Sequence, residues 1–308
     1  MTDVTVMGFI FVDIKGFAKG DYRPKERNLG QVKFVQGGVA RNVAENIGGT
    51  GMNVRFVSLS DNTAIGQESI DRLRASGIDT DYIRVVDDGL GIWLVILDEG
   101  NDVAGQISRP PDTAKLEKLV DECGDEIVRN TQSIVLELDM GDSISEKVLK
   151  LAEKYGRNVY TIVGNMSVIA RRPDLVKRLH CFVCNEAEIG RLIGEDLTKA
   201  SWIEMLARIE TLCKSEKYPA IVVTMGAYGC VYYDPATGDK GHASSRAVKI
   251  ADTTGAGDAF LSGVVYGLEK GLPLHTAVEI GTDMAAKVLG MEESSCADMR
   301  DVVGRYIR

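Results

Sequence analysis

The sequence predicts an α/β protein in which a mainly parallel central sheet is covered by helices on both faces, with a small second β-sheet beside it. Short apolar runs typical of buried strands alternate along the chain with helical segments, and this alternation favours a parallel sheet covered on both sides. Two stretches, residues 14–36 and 90–108, interrupt the alternation with strand patterns of their own. Late in the chain a glycine-rich loop, residues 255–257, precedes an apolar run typical of a buried helix.

The composition is that of an ordinary soluble globular protein, with 308 residues, 44% of them hydrophobic and 26% charged. A net charge of −9 disfavours nonspecific nucleic-acid binding, which needs a basic surface. No apolar run reaches the roughly 20 residues of a membrane span, and the first residues lack the basic and apolar regions of a signal peptide. With six scattered cysteines, these features predict a cytoplasmic protein whose thiols stay reduced.

The first strand, Val4–Gly8, is continued by apolar residues 9–12 to Asp13. Ligands of α/β sheets lie beyond the carboxyl ends of the strands, so we expect Asp13 to lie there. Its carboxylate can accept two hydrogen bonds from a sugar diol; a solvated loop acid is the alternative. Next, Gly37 and Gly38 open a short helix over 41–48, and Asn42 offers a donor and an acceptor to a diol.

The two interrupting stretches predict the small sheet. Within 14–36, polar turn residues lead to the alternating strand 31–35. Within 90–108, the runs 90–97 and 102–107 form a predicted hairpin that turns at 98–101. The run 92–96 is too apolar for an exposed sheet, which favours its burial against a partner.

The remaining elements restore the alternation. Asn185 ends a strand and can cap the following helix, with Glu188 one turn later; the spacing fits a capping box, and an acid there can also hold Mg²⁺-bound water. Thr224, Gly226 and Gly229 mark a glycine turn between two strands, for which a plain β-turn is the alternative. Other predicted elements are strands 54–57, 133–137 and 158–163 and helices 67–75, 145–155 and 274–289.

The glycine-rich loop follows a strand-like run, 246–251, and precedes a predicted helix from Asp258 to about Glu269. N–H groups in the first turn of a helix attract anions, and glycines let a ligand approach the backbone. An acid at such a site is explained if Asp258 acts as a base on an attacking hydroxyl while the N–H groups hold charge on a transferring phosphoryl group. A simple N-cap is the alternative.

The heptapeptide 252–258 resembles the second signature of the PfkB/ribokinase family of sugar and nucleoside kinases, and residues 37–42 resemble the first. The segments 185–188 and 224–229 are similar to further motifs of that family, and the likeness extends over the whole chain. It implies one ribokinase-like three-layer α/β/α domain over residues 1–308, with 14–36 and 90–108 forming a lid that also serves as a homodimer surface. The implied reaction transfers the γ-phosphate of ATP, with Mg²⁺, to a primary hydroxyl.

The resemblance also implies roles for individual residues. Asp258 is the catalytic base, and Gly255, Ala256 and Gly257 hold the developing charge. The remaining sites are substrate contacts at Asp13, Lys15, Gly37, Gly38 and Asn42; ATP contacts at Asn185, Thr224, Gly226, Gly229 and Thr254; Mg²⁺ through water at Glu188; and a monovalent cation, K⁺, at Asp252 and Thr254.

Residues 12–16 and 37–46 look most like the pseudouridine kinase branch, whose product is pseudouridine 5′-phosphate. Residues 163–167 lack the Asp-Pro that many relatives have, and residues 108–112 also differ from that branch. We predict that five lid residues suit the carbonyls and ring of a uracil: Lys15, Lys33, Phe34, Gln106 and Arg109. Ribokinase-like and other sugar kinases, and a catalytically silent sugar- or nucleoside-binding protein, are the alternatives. A Rossmann dehydrogenase is disfavoured because no G-x-G-x-x-G follows the first strand and the Gly-Ala-Gly comes near the end of the chain.

Overall fold

A computed structural model describes residues 1–100, 102–164 and 167–307. The strands are β1 (Thr2–Met7), β2 (Phe11–Ala18), β3 (Gly30–Gly37), β4 (Val54–Ser60), β5 (Ile83–Val85), β6 (Gly91–Leu97), β7 (Val103–Arg109), β8 (Thr131–Glu137), β9 (Asn158–Ile162), β10 (Cys181–Asn185), β11 (Ala220–Thr224), β12 (Cys230–Tyr233) and β13 (Lys240–Ala243). The helices are α1 (Val39–Gly49), α2 (Ala64–Ala75), α3 (Thr113–Arg129), α4 (Asp142–Tyr155), α5 (Ser167–Arg171), α6 (Pro173–Val176), α7 (Glu186–Ile193), α8 (Trp202–Glu216), α9 (Ala256–Glu269), α10 (Leu274–Leu289) and α11 (Arg300–Val303).

The large sheet has the order β13-β12-β11-β10-β9-β8-β1-β4-β5. Its strands run parallel except at one edge, where β12 pairs antiparallel with both β11 and β13. Two apolar cores lie on its two faces, one including residues of α1, α9 and α10 and the other residues of α3, α4 and α8. The predicted α/β fold is therefore confirmed, with the carboxyl ends of the parallel strands collected at one edge.

The predicted second sheet is also present, as four strands in the order β3-β2-β6-β7. The prediction that Asp13 ends the first strand of the large sheet is wrong. The first strand stops at Met7, and a side chain on Gly8 would lie 2.4 Å from the Ala40 Cβ atom. The chain then crosses to the small sheet, where Asp13 pairs with Val35 of β3 and Trp93 of β6.

The strand-like run 246–251 is not a strand. Its two ends contact α10 instead: Arg246 pairs with Glu279 and Asp283, and the Ala251 N–H donates to the Leu289 carbonyl at 2.8 Å. Among the predicted segments, Asn101 of the hairpin turn and residues 165–166 lie outside the described residues. In the part of the chain that is described, no helix is both long and apolar enough to cross a membrane.

Candidate active site

A cleft of about 1070 Å³ lies between the carboxyl edge of the large sheet and one face of the small sheet. The two glycine motifs meet there although more than 200 residues separate them in the sequence. The predicted site residues that line the cleft are Asp13, Lys15, Gly37, Gly38, Asn42, Asp252, Thr254, Gly255, Gly257 and Asp258.

Asp258 lies in the first turn of α9, beyond Gly255, which is the N-cap; the N-cap interpretation of Asp258 is therefore wrong. Its Oδ2 atom accepts a hydrogen bond from the Asn42 side-chain amide at 2.7 Å. Burial raises the pKa of Asp258 to about 7, against the opposing effects of the Asn42 hydrogen bond and the Arg41 charge. A carboxylate with a pKa near neutrality is well suited to take a proton and release it again.

The backbone at the start of α9 requires glycine at one position and leaves space at another. Gly255 has a φ of 81°, and a Cβ atom there would lie 1.9 Å from the Ser294 carbonyl oxygen. A Cβ atom on Gly257 would meet nothing within 4 Å. Among the described residues, no side chain caps this helix, so the N–H groups of Gly257 and Asp258 are available to an anion in the cleft.

The first glycine motif packs against the opposite wall of the cleft. A Cβ atom on Gly37 would lie 2.6 Å from the Asp13 Oδ1 atom, and one on Gly38 would lie 2.8 Å from the Phe9 carbonyl oxygen. Burial raises the pKa of Asp13, while Lys15 and Arg41 act in the opposite direction. The two glycines therefore keep the acid and the backbone accessible from the cleft.

Sequence reasoning missed Glu137, which ends β8 and lines the cleft beside Asp139. Glu137 accepts a hydrogen bond from the Phe9 N–H at 2.9 Å. Burial raises its pKa to about 8, and the neighbouring Asp139 and Asp258 add to the rise. The signal was available, since a predicted strand ends at Glu137 and ligands lie beyond such strand ends.

Of the predicted nucleotide-binding residues, Thr254 lines this cleft, whereas Asn185, Thr224, Gly226 and Gly229 lie at or just beyond neighbouring strand ends and do not line it. Asn185 of β10 is the register partner of Thr224 of β11, and Gly226 and Gly229 have φ of 53° and 88°. Asn185 and Glu188 form a complete capping box, with bonds of 2.8 and 2.9 Å. The capping interpretation is therefore confirmed. The Glu188 charge also acts on the Asp258 carboxyl.

Two of the five residues predicted to contact a uracil, Lys15 and Lys33, line the cleft. Gln106 instead accepts a hydrogen bond from the Trp93 indole at 3.0 Å. The other two are wrong: Phe34 lies on the opposite face of the small sheet and is 61% exposed, and Arg109 pairs with Asp88. The aromatic residues that line the cleft are Phe9, Phe11, Phe17 and Trp93.

Comparison with known proteins shows the family and the fold. The sequence pattern of the pfkB family carbohydrate kinases matches residues 1–298. The chain is 31% identical over 295 residues to guanosine-inosine kinase of Exiguobacterium acetylicum, covering 96% of each chain. It is 24% identical over 300 residues to pseudouridine kinase of Escherichia coli, covering 96% of this chain and 93% of the relative. The fold is similar to that of Arabidopsis thaliana ribokinase solved with ribose and ATP, with a TM-score of 0.83, 21% identity and coverage of 99% and 98%.

Proposed function

The chain belongs to the pfkB family of carbohydrate kinases, phosphotransferases that act on a hydroxyl group of a sugar or nucleoside, and from this premise we propose that it is an ATP-dependent nucleoside 5′-kinase. The observation that carries the proposal is Asp258, held by Asn42 at a helix N-terminus whose N–H groups face the same cleft. Asp13 and Asn42 receive the ribose diol, which leaves the 5′-hydroxyl for Asp258.

Asp258 takes the proton of this hydroxyl as its oxygen attacks the γ-phosphorus of ATP in line, and the bond from the γ-phosphorus to the β,γ-bridging oxygen breaks, so that ADP leaves. The N–H groups of Gly257 and Asp258 hold the negative charge on the transferring group. Phosphoryl transfer needs little covalent help from a protein, so positioning and charge stabilisation supply most of the rate. The aromatic side chains of Phe9 and Phe11 line the cleft and help to exclude water, a competing acceptor.

Among nucleosides we now place guanosine and inosine ahead of pseudouridine. Two of the residues that favoured a uracil, Phe34 and Arg109, face away from the cleft. The pair Lys15 and Lys33 remains, adjacent across β2 and β3. Lysine only donates hydrogen bonds, and guanine offers two acceptors, O6 and N7, on one edge; adenine replaces O6 with a donor. Pseudouridine, whose carbonyls also accept, is the second candidate on the likeness to the Escherichia coli enzyme.

A side-by-side assay of ADP formation tests the function. The acceptors are guanosine, inosine, adenosine, pseudouridine, uridine, ribose and fructose, and the Asp258→Asn variant provides the background rate. We expect guanosine or inosine to give the highest kcat/KM. A higher value for ribose or fructose would overturn the nucleoside assignment, and the absence of turnover with binding retained would indicate a silent binding protein.

Lys33→Gln is expected to lower kcat/KM for guanosine and inosine by about tenfold, because a charged donor to the base edge is lost. The rate with ribose, which has no base, should remain unchanged. Lys19→Gln, an exposed lysine that does not line the cleft, is the matched control. Equal losses with ribose and guanosine would contradict a base contact.

We also propose that Glu188 orients a Mg²⁺-bound water near the ATP phosphates, because only its Oε2 atom is engaged by Asn185 and oxygen donors suit Mg²⁺. Bound Mg²⁺ would neutralise phosphate charge. Glutamine can replace glutamate in a capping box, so Glu188→Gln is expected to keep the melting temperature and to weaken activity in a way that added Mg²⁺ partly restores. Glu204→Gln, in the equivalent capping box with Ser201, is the control; identical behaviour of the two variants would remove the metal role.

A monovalent cation, K⁺, is proposed at the turn before α9. The Asp252 carboxylate accepts the Thr254 N–H at 2.8 Å, and this bond holds the pKa of Asp252 below its ordinary value. The carboxylate therefore stays ionised, and Glu292 and Ser294 of the segment after α10 line the same cleft. Replacement of KCl by choline chloride should lower kcat, and an unchanged rate would exclude the site.

The outer face of the small sheet supports a homodimer. Its apolar side chains point away from the cleft, and Val32, Phe34 and Ile107 are between 61% and 70% exposed. The edge strands β3 and β7 each have one neighbour, which leaves backbone groups for pairing with a second copy. Phe34→Glu should convert a dimer to a monomer in sedimentation; a wild-type monomer would exclude the proposal.

A further inference from the structure

A fully buried arginine connects the two halves of the active site. Arg41 of α1 is 2% exposed, and its guanidinium donates to the end of β3, to its own helix and to the segment after α10. Its acceptors are the Gly37 carbonyl (3.2 Å), the Gln36 carbonyl, Glu45 Oε2 (2.8 Å), Ser295 Oγ (2.9 Å) and Ser294 Oγ (3.3 Å).

The contact with Ser294 determines the direction of the hydrogen bonds that follow it. Arginine has donors and no acceptor, so the Ser294 hydroxyl accepts from Arg41 and directs its own proton elsewhere. That proton is donated to the Asn42 Oδ1 atom at 2.9 Å. With its oxygen engaged, the Asn42 amide presents its NH₂ group to Asp258 Oδ2 at 2.7 Å. The chain of donors thus runs from Arg41 through Ser294 and Asn42 to the base.

Arg41 is also fixed by an ion pair with Glu45, on the side away from Ser294. Glu45 accepts from Arg41 and also from Arg72 of α2, the latter at 2.9 Å, and Arg72 reaches Glu293 at 2.7 Å. Burial alone would raise the pKa of Glu45, but the two arginines hold it below its ordinary value. The carboxylate therefore stays charged, and Arg41 has no room to rotate away from Ser294.

We propose that Arg41 and Ser294 are positioning residues that fix the orientation of the Asn42 amide and so present Asp258 to the acceptor hydroxyl as an ionised base. The proposal rests on the kinase function proposed above. The charged groups that act on Asp258 are Arg41 from α1 and Glu188 from α7; Glu137 of β8 also interacts with it, but burial raises the pKa of Glu137 to about 8, so this acid is largely protonated at neutral pH. Burial and Glu188 oppose the ionisation of Asp258, and the oriented Asn42 amide favours it. Without Ser294 the amide can turn its oxygen towards the carboxylate and withdraw the donor.

The kinetic test compares two adjacent serines. Ser294→Ala removes the link to Asn42, whereas Ser295→Ala removes a bond to Arg41 and Glu45 and leaves the link intact. We expect the acid limb of kcat/KM for Ser294→Ala to move up by about one pH unit, the value of one hydrogen bond to a charged group. The loss should then be about tenfold near pH 6 and should vanish where Asp258 is fully ionised. Ser295→Ala and Ser294→Thr should keep the wild-type limb. The proposal would be overturned if the acid limbs of kcat/KM coincided for Ser294→Ala and wild type, or if both alanine variants shifted the limb equally.

A second measurement needs no substrate. Because the folded pKa of Asp258 is raised above that of an unfolded aspartate, the free energy of unfolding falls as pH rises between the two values. Ser294→Ala should extend this fall by about one pH unit, and the extension should disappear when Asp258 is replaced by asparagine in both proteins. If it persists there, the relay does not act on Asp258 and the proposal fails. If it disappears while every acceptor is inactive, the relay stands and the nucleoside kinase assignment fails.

Discussion

Asp258→Asn is expected to lower kcat by roughly 10²- to 10⁴-fold, the usual contribution of a general base, while ATP binding is retained. The asparagine oxygen can still accept from the Asn42 amide, which donates to Oδ2 at 2.7 Å in the wild type, so the local structure should survive. Single-turnover rates and ADP affinity measured by calorimetry give the two quantities. Near wild-type turnover would remove Asp258 from the mechanism.

The pH dependence separates a lost base from a disturbed fold. Burial raises the pKa of Asp258 to about 7, so wild-type kcat/KM should fall as pH drops through neutrality and the base becomes protonated. The variant should lack this limb. It should also unfold with a larger free energy above neutral pH, because the wild type must keep a buried carboxylate ionised there. A variant that is both slow and less stable at pH 8 would instead indicate structural damage.

The parts of this site that could be predicted from the sequence are those set by local patterns. The run 252–258 predicts a loop entering a helix, and only the helix start differs, at Ala256 in place of Asp258. The alternation of side chains along a strand could also have shown that the predicted uracil contacts are inconsistent. Lys33 and Phe34 are neighbours in one strand and must face opposite sides of the sheet, so both could not line the cleft. Lys33 does so and Phe34 does not.

The parts that could not be predicted depend on contacts between distant segments. Gly8 gives no local sign that the chain leaves the large sheet there; the reason is the closeness of Ala40 and Glu137. Residues 246–251 alternate as a strand does, but their ends contact α10, and the sequence pattern alone could not distinguish this segment from a strand. Arg41 looks like a surface residue in the sequence. Its burial depends in part on Ser294 and Ser295, more than 250 positions later, which accept hydrogen bonds from it.

Two glycines before and within α9 should respond to alanine in opposite ways, and the comparison tests the anion site. Gly255→Ala places a Cβ atom at a φ of 81° and 1.9 Å from the Ser294 carbonyl oxygen, so the start of the helix must move away from residue 294. Gly257→Ala adds a methyl group to open space in a helical turn, where alanine is favoured over glycine by about 0.5–1 kcal/mol.

For Gly255→Ala we therefore expect a lower melting temperature and a loss in kcat of about 10²-fold or more, since displaced N–H donors no longer meet the developing charge. Gly257→Ala should melt no lower than wild type and should raise the KM for ATP, because its methyl group occupies the space through which a phosphate reaches the backbone. Nucleoside affinity should be unchanged in Gly257→Ala, since Asp13 and Asn42 are untouched. A Gly257→Ala enzyme with wild-type ATP kinetics would show that the phosphate does not approach this turn. The negative charge of the transition state would then have to be stabilised by Mg²⁺ near Glu188 and not by the N–H groups of α9.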